Sequence, residues 1–498
     1  MMKKIIFLCV IALVTGCATS APRWDSSQFG RDAQQAPSRL IPIALPEDTS
    51  PANDLGGFER RASSRPGLYG ADEITREDLS AGGRLTGYDD DAFGYDEHSA
   101  ALPRAVATPS LPPVKVAILL PLSGDSADLG QAMLQAAQLA LFDINYRSFE
   151  LIPRDTNGTP EGARAAAEAA IESGAELILG PLFAHSVRAV KPVASRHNIN
   201  VIAFSTDWTL AGQGTYIMGF LPFAQVQRVA SYSAAQGYEN IAILTPNNDY
   251  GNAVVAAYNS IAYRVGLRRA NVVRFSPDSS DLSDVVRQFS QYDRRVNALH
   301  DRKAALERQV EQNPGDDAAR RELRDLGRRD TWGDPPFDAV LMPVGGEQAR
   351  SVASLLSYYD LGPKVMKRLG TGLWDDPGLA TEPALEGAWF AAPAPDQRRD
   401  FERRYIDLYG LRPPRLSTLA YDATALAAVL ARNGFRTQDA PDFSHRALTN
   451  PNGYAGIDGI FRFRPDGLVE RGLAVLEYRD ARISVVEPAP TTFQQLGY

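Results

Sequence analysis

Small polar residues and glycines end several apolar runs of this sequence, and their chemistry suggests a binding site. Hydroxyl groups and free backbone N–H groups in such turns can bind a carboxylate, whereas an acid can bind an ammonium group. Glu347 is the acid that could bind an ammonium group. The other candidates are Ser123, Gly124, Ser205, Thr206 and Tyr250. Serine and glycine also end strands that bind nothing, so the pattern alone leaves both interpretations open.

Catalytic motifs are missing from the sequence. It contains no Gly-x-Ser-x-Gly nucleophile motif, no Ser-x-x-Lys of transpeptidases, no phosphate-binding Gly-x-x-x-x-Gly-Lys and no zinc-binding His-Glu-x-x-His. The five histidines are dispersed, without the spacing of metal ligands. We therefore predict a protein that is not an enzyme and that needs no metal and no cofactor.

The elements that must position the candidates alternate between strands and helices. The run from Val114 is almost continuously apolar, which suits a strand buried on both faces, and residues 130–145 follow a helical period. Similar units follow, with strands predicted at 149–153, 177–179, 200–204, 240–245, 271–275, 339–343 and 367–370. This alternation predicts an α/β fold of parallel sheets flanked by helices. Ligands of such sheets bind beyond the carboxyl ends of the strands, where the candidates lie.

The first residues predict export and lipidation. Two lysines precede an apolar run at residues 5–14, which is too short for a stable membrane span. The run ends in Val-Thr-Gly-Cys17, which resembles a bacterial lipobox. This resemblance implies a signal peptide at 1–16, a lipid anchor on Cys17 and, with Ala18 next, the periplasmic face of the outer membrane. An ordinary secretory signal with an incidental cysteine is the alternative.

Charge and cysteine content exclude further classes. The formal net charge of −8 over 498 residues gives no general attraction to nucleic acid. Of the two cysteines, Cys9 would leave with the signal peptide and Cys17 would carry lipid. The mature chain would then have no thiol for a disulfide, a zinc–thiolate site or a cysteine nucleophile.

Two segments depart from the strand–helix alternation. After the lipidated cysteine, residues 17–113 are rich in Pro, Ser, Gly, Asp and Arg, a composition that predicts a disordered tether. Residues 293–330 carry a helical stripe of apolar positions among many charges, broken at 313–316, which predicts an inserted helical hairpin. The hairpin is either a solvated, salt-bridged elaboration or a surface for a partner.

Several motifs together resemble type I periplasmic binding proteins of the leucine-binding kind. They are Leu122-Ser123-Gly124 with Gly130, Asp143-Ile144-Asn145, Gly180-Pro181-Leu182, Asp249-Tyr250-Gly251 and Leu419-Ala420-Tyr421-Asp422-Ala423. The resemblance implies two similar α/β lobes, joined by three crossovers, that close on a ligand. It places Ser123, Ser205, Thr206, Tyr250 and Glu347 in the cleft.

On this resemblance, a two-lobed unit spans residues 114–485 and is followed by a tail at 486–498. The first lobe is expected at about 114–220 and 397–435, and the second at about 222–395 with the C-terminal strands and the hairpin. Residues 460–463 and 473–478 alternate apolar and polar positions and predict an antiparallel edge.

A nearer resemblance is to the LppC/LpoA family of penicillin-binding protein activators. It is carried by the lipobox, Phe204-Ser205-Thr206-Asp207, the charged insertion before Phe337-Asp338-Ala339-Val340, and the ending from Gly456-Ile457-Asp458-Gly459 to Phe463-Arg464-Pro465-Asp466-Gly467. It implies an outer-membrane lipoprotein that contacts a class A penicillin-binding protein and stimulates peptidoglycan synthesis. The sequence departs from the best-known members because residues 18–113 lack the 34-residue period of their helical repeats.

Two functions remain open at this stage. Activation of a class A penicillin-binding protein by contact predicts a filled or degenerate cleft, which bulky residues such as Phe183 and Trp208 could occupy. A lipid-anchored receptor that delivers an amino acid or peptide-like ligand to an ABC transporter predicts an open, polar cleft in which Ser123, Thr206 and Glu347 converge.

Overall fold

The structure, a computed structural model, describes residues 113–496. The predicted signal peptide, the lipidation site Cys17 and the tether up to residue 112 lie outside the described residues. Two lobes are seen, each a mostly parallel sheet flanked by helices. The predicted α/β fold class is confirmed.

The first lobe begins with a repeated strand–helix unit. Its strands are Val114–Leu120 (β1), Phe149–Asp155 (β2), Leu177–Leu179 (β3), Asn200–Ala203 (β4) and Thr215–Ile217 (β5). Its helices are Ala127–Ile144 (α1), Pro160–Glu172 (α2) and Ala184–Arg196 (α3). The strands form a parallel sheet in the order β2-β1-β3-β4-β5.

Strand β1 is the centre of this lobe. It pairs with β2 on one side and with β3 on the other, and Val116 to Leu120 are fully buried. A strand enclosed on all sides needs apolar residues at every position, because neither face meets water. The continuous run in the sequence is the direct result.

The second lobe repeats the pattern. Its strands are Ile241–Pro246 (β6), Val272–Phe275 (β7), Ala339–Leu341 (β8), Lys367–Gly370 (β9) and Trp389–Ala392 (β10). Its helices are Pro222–Ala235 (α4), Asp249–Ala262 (α5), Ser283–Phe289 (α6), Tyr292–Gln312 (α7), Asp317–Leu326 (α8) and Gly346–Tyr358 (α9). Separate apolar cores cover the two faces of this sheet.

The chain then returns to the first lobe. Helices Pro395–Tyr409 (α10) and Ser417–Gln438 (α11) pack into the first-lobe core, and α11 lies along α1. The short helix His445–Leu448 (α12) leads to a small antiparallel sheet. Its strands are Tyr454–Gly456 (β11), Gly459–Phe463 (β12) and Val469–Arg471 (β13).

This small sheet corrects one prediction. Residues 460–463 and 473–478 do not share one edge of the second lobe, since Phe461 and Phe463 of β12 lie in the first-lobe core. Only the second run reaches the second lobe, as Ala474–Arg479 (β14), and it pairs antiparallel with β10. An alternating pattern shows that a strand has one buried face, but not which core that face covers.

Strand Arg482–Glu487 (β15) completes the second sheet, in the order β15-β14-β10-β9-β8-β6-β7. It runs two residues past 485, the predicted end of the globular unit. Beyond it, Phe493 is buried and stacks 4.3 Å from the Arg462 guanidinium. These residues of the expected tail therefore pack on the globular unit.

Helices α7 and α8 lie where the charged hairpin was predicted. They enclose a small core of Leu299, Leu306, Ala319 and Leu326. Arg295 fixes the base, because its buried guanidinium donates to the carbonyl oxygens of Ser290 at 3.1 Å and Tyr359 at 2.5 Å. The hairpin is therefore held by the second lobe in one orientation.

In the part of the chain that the structure describes, three short passages connect the lobes. They are residues 218–221 between β5 and α4, 393–394 between β10 and α10, and 472–473 between β13 and β14. Arg471 joins two of them by donating to the carbonyl oxygen of Met218 at 3.0 Å. Within residues 113–496, no helix has the length and apolar character needed to cross a membrane.

Candidate functional site

A cavity of about 370 Å³ lies beside these crossovers, between the lobes. Its wall comprises Thr206, Phe220, Gln225, Tyr250, Gly372, Leu373, Asp375, Ala392, Pro393, Arg415 and Leu416. Both lobes contribute, and apolar side chains form much of the wall. Such a cavity suits an apolar or aromatic group held by a few polar contacts.

Thr206 and Ser205 follow β4 but have different environments. Thr206 is exposed and lines the cavity. Ser205 is buried, and its hydroxyl accepts a hydrogen bond from the N–H of Asp207 at 3.0 Å. Ser205 therefore shapes the turn that presents Thr206, and it is not among the residues that line the cavity.

Tyr250 stands in the first turn of α5. Asn248 caps this helix, since its side chain accepts from the N–H of Gly251 at 2.9 Å. Burial raises the pKa of Tyr250 to about 12, although the bond to Thr371 opposes this change. The neutral phenol donates to the Thr371 hydroxyl at 2.9 Å. Tyr250 thus lines the cavity, but its hydroxyl proton is already donated to Thr371.

Ser123 and Gly124 follow β1, where Ser123 meets Asp155 from the end of β2 and Gly124 lies beside Asn157. The Asp155 carboxylate accepts from the Ser123 hydroxyl at 2.5 Å and from the N–H groups of Leu122, Ser123 and Asn157 at 2.9, 3.2 and 2.8 Å. Burial would raise the pKa of Asp155, but these hydrogen bonds outweigh it and hold the pKa below its usual value. The groups predicted to bind a ligand carboxylate are bound by the chain's own carboxylate.

Glu347, at the start of α9, is also engaged locally. It forms an ion pair with Arg350 one turn later, and 86% of its side chain is exposed. It is not among the residues that line the cavity. Glu347, which was predicted to bind the ammonium group of a ligand, therefore faces solvent and is paired with Arg350.

Four charged residues link the lobes beside the cavity, and we call them the hinge bridge: Asp375, Arg398, Arg415 and Asp458. Asp375 comes from the second lobe, and the other three come from the first. Arg415 lies 3.2 Å from the Asp375 carboxylate and 2.9 Å from that of Asp458. The side chains of Asp375 and Asp458 are only 5% and 0% exposed, so these pairs are largely shielded from water.

The hinge bridge was missed by the sequence analysis. Its members are separated by 17 to 83 residues along the chain, and each one alone is an ordinary charged residue. Phe183 and Trp208, suggested as residues that fill the cleft, do not line the cavity. Phe183 stacks on His185 at 5.5 Å, and Trp208 packs edge-on against Phe223 at 5.4 Å.

The family model for "Periplasmic binding protein" matches residues 113–482, well over half of the chain. The chain belongs to this family.

Two curated relatives match parts of this periplasmic binding protein. An uncharacterised protein of Rickettsia prowazekii is 20% identical over 177 residues, which are 36% of this chain and 47% of that protein. Penicillin-binding protein activator LpoA of Glaesserella parasuis is 28% identical over 144 residues, which are 29% of this chain and 24% of that protein. The chain thus spans less than half the length of the curated relatives it matches.

Solved structures of similar fold come from ABC transporters. A branched-chain amino acid transporter protein of Rhodospirillum rubrum has a TM-score of 0.58 at 17% identity, covering 75% of this chain and 100% of its own. A branched-chain amino acid ligand-binding protein of Burkholderia xenovorans has a TM-score of 0.56 at 17% identity, covering 77% and 97%. At such identities the likeness shows the fold alone.

Within the family fold, the predicted site is divided. Thr206 and Tyr250 meet at the cavity, whereas Ser123, Gly124, Ser205 and Glu347 are outside its wall. Among the described residues, no group of three or more His, Cys, Asp or Glu side chains is placed to hold a metal ion. The cavity wall also includes Asp375 and Arg415 of the hinge bridge, which the sequence analysis did not predict.

Proposed function

We propose that this protein regulates peptidoglycan synthesis by binding and activating a class A penicillin-binding protein. The observation that carries the proposal is the hinge bridge, because the chain's own side chains already connect the two lobes. A receptor that closes on a solute needs lobes that separate without the ligand, so that contacts with the ligand favour the closed state. A module held by internal ion pairs instead presents a fixed outer surface to a partner.

Ser123 and Glu347, the predicted ligand residues at two strand ends that we call the strand-end rim, support the same proposal. An amino acid offers one carboxylate and one ammonium group. The N–H groups at the end of β1 already hold Asp155, and Glu347 already holds Arg350. An amino acid would have to displace both partners, and each displacement costs part of its binding energy.

Partial similarity to a protein named as a penicillin-binding protein activator also supports the proposal. Under this proposal, Cys17 carries the lipid that anchors the chain to the periplasmic face of the outer membrane. Residues 17–113 act as the tether, which lets the two-lobed unit reach inward to the synthase. A flexible chain of this length has an r.m.s. span of roughly 50–60 Å.

The test combines binding with synthesis. The complete chain, purified in detergent, is added to a class A penicillin-binding protein from the same bacterium, and glycan polymerisation is followed over time. We expect a complex and a several-fold faster polymerisation. Absence of both, for every class A synthase of that bacterium, would refute the proposal.

A lipid-anchored solute receptor for an amino acid or peptide-like ligand is the second candidate. The cavity favours it, since two predicted ligand residues, Thr206 and Tyr250, share its wall. The apolar wall favours a ligand with an apolar or aromatic group. A small molecule released on denaturing the freshly purified protein, and lost in a Thr206→Phe variant, would favour the receptor over the activator.

A further inference from the structure

A second group of buried charges lies behind the hinge bridge. Asp422 of α11 is fully buried, and its Oδ1 accepts from the N–H of Ile457 at 2.8 Å. Its Oδ2 has no hydrogen bond of good geometry among the described residues, although the N–H of Asp458 also acts on the carboxyl group. Gly456 comes so close that a Cβ there would lie 2.5 Å from this oxygen. A buried carboxyl oxygen without a donor is costly if the group is charged.

Arg471 faces this group from β13 and is itself part of the hinge. Its Nη2 donates to Met218 in the first crossover, while its Nε and Nη1 have no hydrogen-bond partner among the described residues. Its guanidinium carbon lies 5.2 Å from the ring of Phe220, which also lines the cavity. Arg471 therefore connects the buried charges, the hinge and the cavity wall.

The charged and titratable groups around Asp422 come from several elements. Asp458 follows β11, Arg471 lies on β13, and Arg415 precedes α11 and pairs with Asp458 at 2.9 Å. On α11 itself, Tyr421 donates to the Asp143 carboxylate at 2.6 Å. Burial and, second, the charge of Asp458 together raise the pKa of Asp422 to about 7, although Arg471 and the N–H groups of Ile457 and Asp458 oppose the change.

The pKa of Asp458 is shifted in the opposite direction. Burial would raise the pKa of Asp458, but Arg415 and Arg471 outweigh this and lower it. Asp458 thus keeps its charge while its neighbour Asp422 gains or loses a proton near neutral pH. Ionisation of Asp422 places a second negative charge beside Asp458 and offers an acceptor to the free N–H groups of Arg471.

We propose that Asp422 is a proton-operated lock on the hinge, which is closed when its carboxyl group is protonated. In that form Arg471 stays bonded to Met218 and holds two crossovers together. When the proton leaves to solvent, the Asp422 carboxylate draws the guanidinium away from the Met218 carbonyl and loosens the hinge. The lock does not rest on the proposed function, although a loosened hinge would also change the outer surface that a partner meets.

The sign of the pH effect follows from the raised pKa. Asp422 binds its proton more tightly in the folded state than in the unfolded state. Its contribution to stability is therefore full below the ordinary aspartate pKa of about 4 and is lost as the pH rises through about 7. From pH 5.5 to 8.5, we expect the melting temperature to fall by about 2–5 °C.

Interlobe energy transfer tests the lock. Dyes are placed on Phe142→Cys in the first lobe and Tyr263→Cys in the second, two exposed positions, in the full chain with Cys9→Ser and Cys17→Ser. We expect the transfer efficiency to change between pH 5.5 and 8.5 in this background. In an added Asp422→Asn variant it should stay at the low-pH value. Asp439→Asn, an exposed position just after the same helix, should keep the parent profile.

Asp458→Asn provides a second readout if Asp422→Asn does not fold. Removing the neighbouring negative charge should move the midpoint of the transition to lower pH, by about one unit. A flat parent profile, an Asp422→Asn profile equal to the parent's, or an unmoved midpoint in Asp458→Asn would each overturn the lock.

Discussion

The strand-end rim and the hinge bridge handle polar groups in different ways. At the rim, Ser123 binds Asp155 and Glu347 binds Arg350, each within one lobe and in contact with water. At the hinge bridge, Arg415 joins Asp375 and Asp458 across the lobes, largely out of water. A polar residue at a strand end can thus serve its own loop or fix two lobes together. The extent of burial determines how much each kind of contact contributes to the stability of the fold.

The strongest test of this comparison removes Arg415. In Arg415→Met, Asp375 and Asp458 lose a shared cation, and breaking a buried pair typically costs about 3–5 kcal/mol. We expect a loss near the lower value, because Asp375 keeps Arg398 and Asp458 keeps the Thr418 hydroxyl. Urea unfolding measures the free energy of unfolding.

Arg412→Met is the matched control for this change. Arg412 is 73% exposed and lies 3.6 Å from Glu402, so its removal should leave the unfolding midpoint unchanged. Equal losses for Arg412→Met and Arg415→Met would show that the hinge bridge is no stronger than a surface pair.

A smaller effect is expected at the rim. Ser123→Ala removes one hydrogen bond to Asp155, which should cost about 0.5 kcal/mol at neutral pH because the pair is exposed. The lowered pKa of Asp155 should rise towards its ordinary value. A carboxyl group whose pKa is lowered in the folded state stabilises the fold at pH values above the ordinary aspartate pKa. This stabilisation is lost as the pH falls through the lowered pKa. The difference between variant and parent should therefore shrink as the pH falls below the ordinary aspartate pKa of about 4, as measured by urea unfolding at neutral and at acidic pH.

The smallest effect is expected at Glu347. Its side chain is mostly exposed, and among residues 113–496 Arg350 is its one ion-pair partner. We expect Glu347→Ala to change neither the melting temperature nor the activation of a synthase. Loss of a bound small molecule in this variant would place Glu347 in a ligand site and contradict the division between rim and cavity.

The repeating units of the fold were predictable because they depend on local composition. The run at β1 is apolar apart from Lys115, since both faces are buried, and the hairpin at α7 and α8 shows a helical stripe broken by a turn. Neither signal needs knowledge of distant residues. The family resemblance rests on the same motifs, and the match over residues 113–482 confirms it at the level of the periplasmic binding protein fold.

The residues of the candidate site were predictable only in part. Thr206 and Tyr250 reach the cavity, because strand ends of both lobes point to the interlobe space. The partners of Ser123 and Glu347 were not foreseen, although Arg350 lies only three residues from Glu347. A strand-end position shows where a side chain stands, but not whether a neighbour has already taken its hydrogen bonds.

The sequence by itself determined the strand–helix order, the buried runs and the charged hairpin, since each is written in a local pattern of apolar and polar residues. Only the tertiary structure decided that residues 460–463 join the first lobe, and that Asp375, Arg398, Arg415 and Asp458 meet at the hinge. It also brought Asp422 beside Arg471, 49 residues later. Ion pairs between distant residues leave no periodic trace, because one residue of each pair carries no information about the other.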